Sequence, residues 1–194
     1  MFPKAVGTLK AHGLFFCKKE KEPMNLVLIG YRCSGKTVTG RELAGRLGRP
    51  FMDTDALVVR EAGAPVADVV RKEGWEHFRD LESGVIRRLA ARDGLVIATG
   101  GGVVVREENI QVLRAGGWLV WLDAGPSELV RRMMNDREHA DQRPALGEGD
   151  PFEETNGVLR ERAPLYRKAA DLCVETDRLT PTETAARIMT SIPR

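Results

Sequence analysis

The chain reads as an α/β protein built on a mainly parallel sheet. From Met24 onward, short apolar runs alternate with amphipathic stretches, the pattern of successive βα units. A glycine-rich stretch, Gly30-Tyr31-Arg32-Cys33-Ser34-Gly35-Lys36-Thr37, stands between the first apolar run and the first amphipathic one. No apolar run approaches the roughly 20 residues that a membrane helix requires.

Strands are expected at Asn25–Ile29, 50–52, 95–98, 118–122 and 172–174, each short enough to be buried on both faces. Between them, 37–47, 66–72, 76–92, 107–115, 127–136, 152–168 and 182–192 carry apolar residues at helical spacing. Pro65, Pro126, Pro151 and Pro181 fall at or just before helix starts, where a missing N–H costs least. The stretch 139–150 is polar, with Pro144, Gly147 and Gly149, and reads as a loop that could close over a site. Residues 1–23 lack sustained periodicity and end in a charged run. They are expected to be a disordered or loosely docked extension ahead of a single domain, 24–194. A transit peptide is the other reading, disfavoured by the absence of Ser and the presence of Glu.

Composition narrows the function classes. At 194 residues with 42% hydrophobic content there is material for one sizeable core. Thirty basic residues against 28 acidic ones leave a formal charge of +2, so no broad field points to nucleic acid or a membrane surface. Cys17, Cys33 and Cys173 form neither a metal-ligand pattern nor a disulfide framework, which fits reduced thiols and a cytoplasmic protein.

The glycine-rich stretch has the form G-x-x-x-x-G-K-[ST] in the context that gives it meaning, after a strand and before a helix. Glycines let backbone N–H groups turn inward around a β-phosphate, and the helix N-terminus adds positive potential. Lys36 would reach the β- and γ-phosphates and Thr37 a Mg²⁺ ion. The other reading is a plain strand-to-helix turn. This P-loop implies ATP or GTP and a metal but does not identify what receives the phosphate.

Asp53-Thr54-Asp55 follows the second strand, so both carboxylates should emerge at the sheet edge that carries the P-loop. Asp53 could face the hydrated Mg²⁺ and Asp55 an acceptor hydroxyl; alternatively Asp53 or Thr54 caps a helix through Leu57 and Arg60. Thr99-Gly100-Gly101-Gly102 follows the third strand, where bare N–H groups could approach a substrate closely, or simply form a flexible turn. Arg79 after Phe78, Arg143 before Pro144, and Arg162 near Tyr166 each read, taken singly, as solvated surface charges. Trp75, Trp118 and Trp121 are read as packing residues. His77 and His139 have no partner at ligand spacing and His12 lies in the extension, so none of the three is assigned a catalytic role, and Cys33 is read as an inert thiol.

Taken together, the P-loop, Asp53-Thr54-Asp55, Phe78-Arg79, Thr99-Gly100-Gly101-Gly102, Arg143-Pro144 and Arg162-Ala163-Pro164-Leu165-Tyr166-Arg167 resemble, in order and spacing, the motifs of shikimate kinases. The resemblance covers about Met24 to Ile192. It implies a three-layer P-loop kinase fold, a five-stranded parallel sheet in order 2-3-1-4-5 flanked by helices, with a short lid at about 137–150. It also implies transfer of the ATP γ-phosphate to the 3-hydroxyl of shikimate.

By this resemblance Lys36, Asp55 and Arg143 are catalytic, and Asp55, Arg79, Gly101, Gly102 and Arg162 bind shikimate. Cys33, Ser34, Gly35, Lys36, Thr37, Arg137, Arg143 and Pro181 would contact ATP, with Thr37 and Asp53 at the Mg²⁺. Arg79 and Arg162 make sense as a carboxylate clamp, since guanidinium forks match carboxylates in a bidentate way. Ala145 departs from the leucine usual in the family lid. The expected partners are shikimate and ATP, with no nucleic acid and no membrane, and a monomer is expected. The alternatives are another small-metabolite kinase of this fold, of the gluconate type, and a non-catalytic nucleotide-binding regulator.

Overall fold

The computed structural model describes residues 24–136 and 150–193. Strand β1 (Asn25–Ile29) is buried on both faces, as its unbroken apolar run requires of a central parallel strand. It pairs with β3 (Val96–Ala98) on one side and β4 (Gly117–Asp123) on the other. Outside these lie β2 (Phe51–Asp53) and β5 (Leu172–Glu175), both parallel, giving the order β2-β3-β1-β4-β5 implied above.

The period-2 alternation of β1 divides the core into two layers. Leu26 and Leu28 point into a cluster with Leu43 and Ala44 of α1 (Lys36–Leu47) and Ala185 and Ile188 of α7 (Pro181–Ser191). Val27 and Ile29 point the other way. There they meet Val85 and Ile86 of α3 (Val66–Ala90), Leu113 of α4 (Glu107–Gly116) and Tyr166 of α6 (Pro151–Ala169). Helix α2 (Thr54–Ala62) adds Val58 to this second layer, and α5 (Pro126–Asn135) places Leu129 in a small cluster with Tyr31. None of the described helices is long and apolar enough to cross a membrane.

Several boundaries differ from expectation for identifiable reasons. The second strand begins at Phe51, and its ladder extends one residue further because Asp53 pairs with Ala98. The helices expected at 66–72 and 76–92 are one element interrupted at Gly74, whose φ of 84° and ψ of 170° are not helical. Nothing lies within 4 Å of a Cβ placed there, so backbone conformation rather than crowding favours glycine at this kink. Pro126, Pro151 and Pro181 open their helices as expected, and α7 also has a reciprocal capping box between Thr180 and Glu183. The extension 1–23 and most of the lid, 137–149, lie outside the described residues.

Candidate active site

The phosphate cradle forms where β1 ends and α1 begins. Its path turns through Gly30 (φ 141°), Cys33 (φ 58°) and Gly35 (φ 95°). Gly30 is also sterically bound to its place, because a Cβ there would stand 2.5 Å from the carbonyl oxygen of Leu122. Lys36 Nζ donates to Gly30 O at 2.9 Å and to Tyr31 O at 2.6 Å, and lies 3.4 Å from Ser34 Oγ. The lysine therefore lies along its own loop.

The two readings of Asp53 are compatible in one carboxylate. Oδ1 accepts the N–H groups of Asp55 and Ala56 at 3.1 and 3.2 Å, capping α2, while Oδ2 accepts from Thr37 Oγ1 at 2.9 Å. A hydroxyl and a carboxylate oxygen so paired are hard donors of the kind Mg²⁺ takes alongside phosphate and water. Among the described residues no cluster of three or more His, Cys, Asp or Glu could hold a metal by itself.

Beside the cradle lies a cavity of about 100 Å³. Asp55, Arg79, Gly101, Gly102 and Arg162, drawn from four segments far apart in the chain, all line it, and so does Arg32 of the P-loop. Arg32, Asp55, Gly101 and Gly102 meet because β1, β2 and β3 are parallel and their carboxyl ends share one edge, while α3 and α6 bring Arg79 and Arg162 to that edge.

Arg79 is only 9% exposed, and its Nη1 donates to Glu82 Oε2 at 2.7 Å. Its guanidinium also lies 5.4 Å from the Trp75 ring and 5.2 Å from that of Phe78, within cation–π range. Trp75 is 41% exposed and lines the cavity. Reading it as a packing residue is therefore corrected; Trp121, by contrast, is buried, and Trp118 packs against the α1/α7 layer.

The glycine triplet has a more specific reason than flexibility. A Cβ on Gly102 would fall 1.9 Å from Arg79 Nη2, and one on Gly100 would fall 2.6 Å from both Asp55 Oδ1 and Glu82 Oε1. Positions 100 and 102 are bare because charged side chains lining the cavity occupy the space, and position 101 because the P-loop backbone does, a Cβ there standing 3.0 Å from Arg32 N. The turn is also anchored: Gly100 N donates to Thr54 Oγ1 at 2.9 Å, and Gly101 O accepts from the Tyr166 hydroxyl and from Arg162 Nη1, the latter at 3.3 Å. Tyr166 stacks on Trp121 with ring centroids 5.8 Å apart, and its burial raises the phenol well above its ordinary pKa. It stays a neutral hydrogen-bond donor at physiological pH.

On the nucleotide side, Arg132 joins three segments. It donates to Cys33 O at 3.5 Å, to Thr176 Oγ1 at 3.2 Å and O at 2.7 Å, and to Glu128 Oε1 at 2.6 Å. Arg131 grips Glu128 as well, and these charged donors hold the Glu128 carboxyl down at about 2. The loop from Thr176 to Pro181 is further tied to the β4–α5 junction through Asp123 O and Gly125 N. Pro181 is the first residue of α7. Arg137 and Arg143 lie outside the described residues, as does His139. His77 pairs with Glu73 at 2.9 Å and takes no part in the cavity.

Glu82, Tyr166, Arg32 and Arg132 were not singled out from sequence. Two of them left a signal: Glu82 stands three residues after Arg79, and Tyr166 four after Arg162, the spacings that bring side chains together on one helix face.

A family model described as shikimate kinase matches residues 32–193. The chain is 47% identical over 166 residues to a shikimate kinase of Symbiobacterium thermophilum, covering 86% of this chain and 94% of that one. It is 39% identical to one of Syntrophus aciditrophicus, covering 88% and 91%. A solved shikimate kinase from Acinetobacter baumannii in complex with shikimate superposes with a TM-score of 0.81 at 34% identity, covering 87% of this chain and 92% of that one. A gluconokinase from Sinorhizobium meliloti gives a TM-score of 0.52 at 18% identity over 88% and 91%, a likeness of fold alone.

Proposed function

The chain belongs to the shikimate kinase family and is an ATP-dependent phosphotransferase acting on an alcohol, and we propose that it transfers the γ-phosphate of ATP to the 3-hydroxyl of shikimate. The products are shikimate 3-phosphate and ADP, a step in aromatic amino-acid biosynthesis. The observation that carries this reading is the single cavity, beside the phosphate cradle, where Asp55, Arg79, Gly101, Gly102 and Arg162 converge.

ATP phosphates lie in the cradle against the backbone N–H groups of Cys33, Ser34, Gly35, Lys36 and Thr37. Lys36 exchanges its present carbonyl partners for β- and γ-phosphate oxygens. Thr37 and Asp53 would hold Mg²⁺, which, when bound, offsets negative charge on the β- and γ-phosphate oxygens. Arg79 and Arg162 clamp the acceptor carboxylate, and Gly101 and Gly102 form the wall behind it.

Asp55 orients the acceptor hydroxyl. The hydroxyl oxygen bonds to the γ-phosphorus as the bond from that phosphorus to the β,γ-bridging oxygen breaks, its electron pair leaving with ADP. The hydroxyl proton departs through Asp55, and a loose transition state requires little base strength for this. Arg143 is assigned by its motif to the transferring phosphoryl group, and Arg137 and Pro181 to the nucleotide base. The domain 24–194 acts as a cytoplasmic monomer.

A coupled ADP-release assay across shikimate, gluconate and nucleoside monophosphates tests the acceptor. Turnover is expected with shikimate alone; turnover with another member of the panel and none with shikimate overturns the reading.

A further inference from the structure

The P-loop of this chain carries a charge that the phosphate cradle does not use. Backbone amides bind the phosphates in such a loop, so the side chain at position 32 is not needed for it. Yet Arg32 projects into the wall of the acceptor cavity. Its Nη2 meets Glu154 Oε1 at 3.3 Å, in the first turn of α6, and its Nε is buried with no hydrogen-bond partner among the described residues. Its backbone nitrogen lies 3.0 Å from where a Cβ on Gly101 would stand. Arg32 thus occupies the boundary between the nucleotide cradle and the acceptor cavity, with donor capacity left over.

We propose that Arg32 is a product-recognition residue: its guanidinium binds the phosphoryl group once it has been transferred to the acceptor, and Glu154 competes for it. This rests on the reading of the cavity as the acceptor site. Arg79 and Arg162 face a carboxylate that substrate and product share, so they cannot tell the two apart. What distinguishes the product is a phosphate monoester carrying about −1.5 to −2 charges near neutral pH. A guanidinium on the cradle side gains a charge-assisted bidentate contact with that group and little with a neutral hydroxyl. Glu154 keeps Arg32 partly neutralised before transfer and draws it back afterwards, which limits how tightly product is retained.

The test is the inhibition constant of shikimate 3-phosphate against shikimate, measured with KM for shikimate and ATP and a thermal melt. The proteins are wild type, Arg32→Met, Arg32→Lys and Glu154→Gln. Losing one charge-assisted contact at a partly exposed site corresponds to about tenfold. Arg32→Met should therefore raise the ratio of product constant to shikimate KM at least fivefold, Arg32→Lys should raise it less, and Glu154→Gln should lower it.

A ratio that stays within fivefold in Arg32→Met overturns the proposal, as does a rise in ATP KM with the ratio unmoved, which would assign Arg32 to the nucleotide. If Arg32→Met does not fold, Arg32→Lys decides: a product constant that rises more than shikimate KM supports the assignment, and equal changes sink it. A wild type that does not phosphorylate shikimate overturns the functional reading itself; normal turnover with an unmoved ratio overturns only this assignment.

Discussion

Arg79 and Glu82 form a buried ion pair on one face of α3, 2.7 Å apart, with Glu82 fully buried and its Oε1 left without a hydrogen-bond partner among the described residues. The pair presets the arginine: one side of the guanidinium is committed to Glu82, and the rest lies against Trp75 and Phe78 with its remaining donors at the cavity wall. Breaking one member of such a pair leaves an uncompensated buried charge. Glu82→Gln should lose about 3 kcal/mol of stability and raise shikimate KM about tenfold, with ATP KM unchanged. Urea melts and steady-state kinetics check both parts, and a KM that does not move would remove Glu82 from acceptor binding.

Gly102→Ala isolates the steric argument. The added methyl would stand 1.9 Å from Arg79 Nη2, so the guanidinium must leave its place. Shikimate binding should weaken by at least tenfold, while ATP binding, which depends on a different segment, should hold. Calorimetric titration with each ligand separates the two.

Tyr166→Phe removes one donor from Gly101 O and leaves Arg162 as the other. An unmade hydrogen bond at a buried group costs about 1–3 kcal/mol. We expect a stability loss in that range and a severalfold rise in shikimate KM, with kcat changed less. Equal losses in kcat and kcat/KM would indicate instead that Gly101 acts on the transition state.

Glu128 supplies a pH-dependent contribution to the nucleotide side. Its carboxyl is held at about 2, below its ordinary 4.5, by hydrogen bonds from Arg131 first and Arg132 second. A depressed folded-state value means that the stabilisation is complete above about pH 4.5 and fades as the pH falls toward 2. Glu128→Gln should therefore be less stable than wild type at pH 7, by about 1 kcal/mol or less after solvent screening. The difference should shrink steadily below about pH 4.5 and vanish only below about pH 2; a gap that does not depend on pH would assign the loss to packing.

The strands and most helices were legible because each depends on local pattern, whereas the sheet order and the grouping of the five proposed acceptor residues followed from the resemblance of the motifs to those of shikimate kinases. The stretch 26–29 is an uninterrupted apolar run, and the P-loop is bracketed by a strand and a helix. What escaped was set by contacts between distant segments. Nothing near position 154 shows that Glu154 meets Arg32, and nothing near Arg132 shows that it reaches Thr176 across 44 residues. The triplet at 100–102 was visible as a bare turn. Its cause, the space taken by Arg79, Asp55, Glu82 and the P-loop backbone, became visible only in three dimensions.

The central claim is that the cavity beside the cradle accepts shikimate and that Asp55 presents its hydroxyl to ATP. Phosphorus NMR of ATP with shikimate and Mg²⁺ tests it most directly, in wild type and in Asp55→Asn. The account predicts that in wild type the γ-phosphate resonance is replaced by a phosphomonoester coupled to the proton at carbon 3. In Asp55→Asn, a variant that still binds ATP, this conversion should be at least about a hundredfold slower, the lower end of the usual range for one positioned acid–base group. A wild type that binds ATP yet leaves it intact in the presence of shikimate, or an Asp55→Asn that converts it at the wild-type rate, would contradict it.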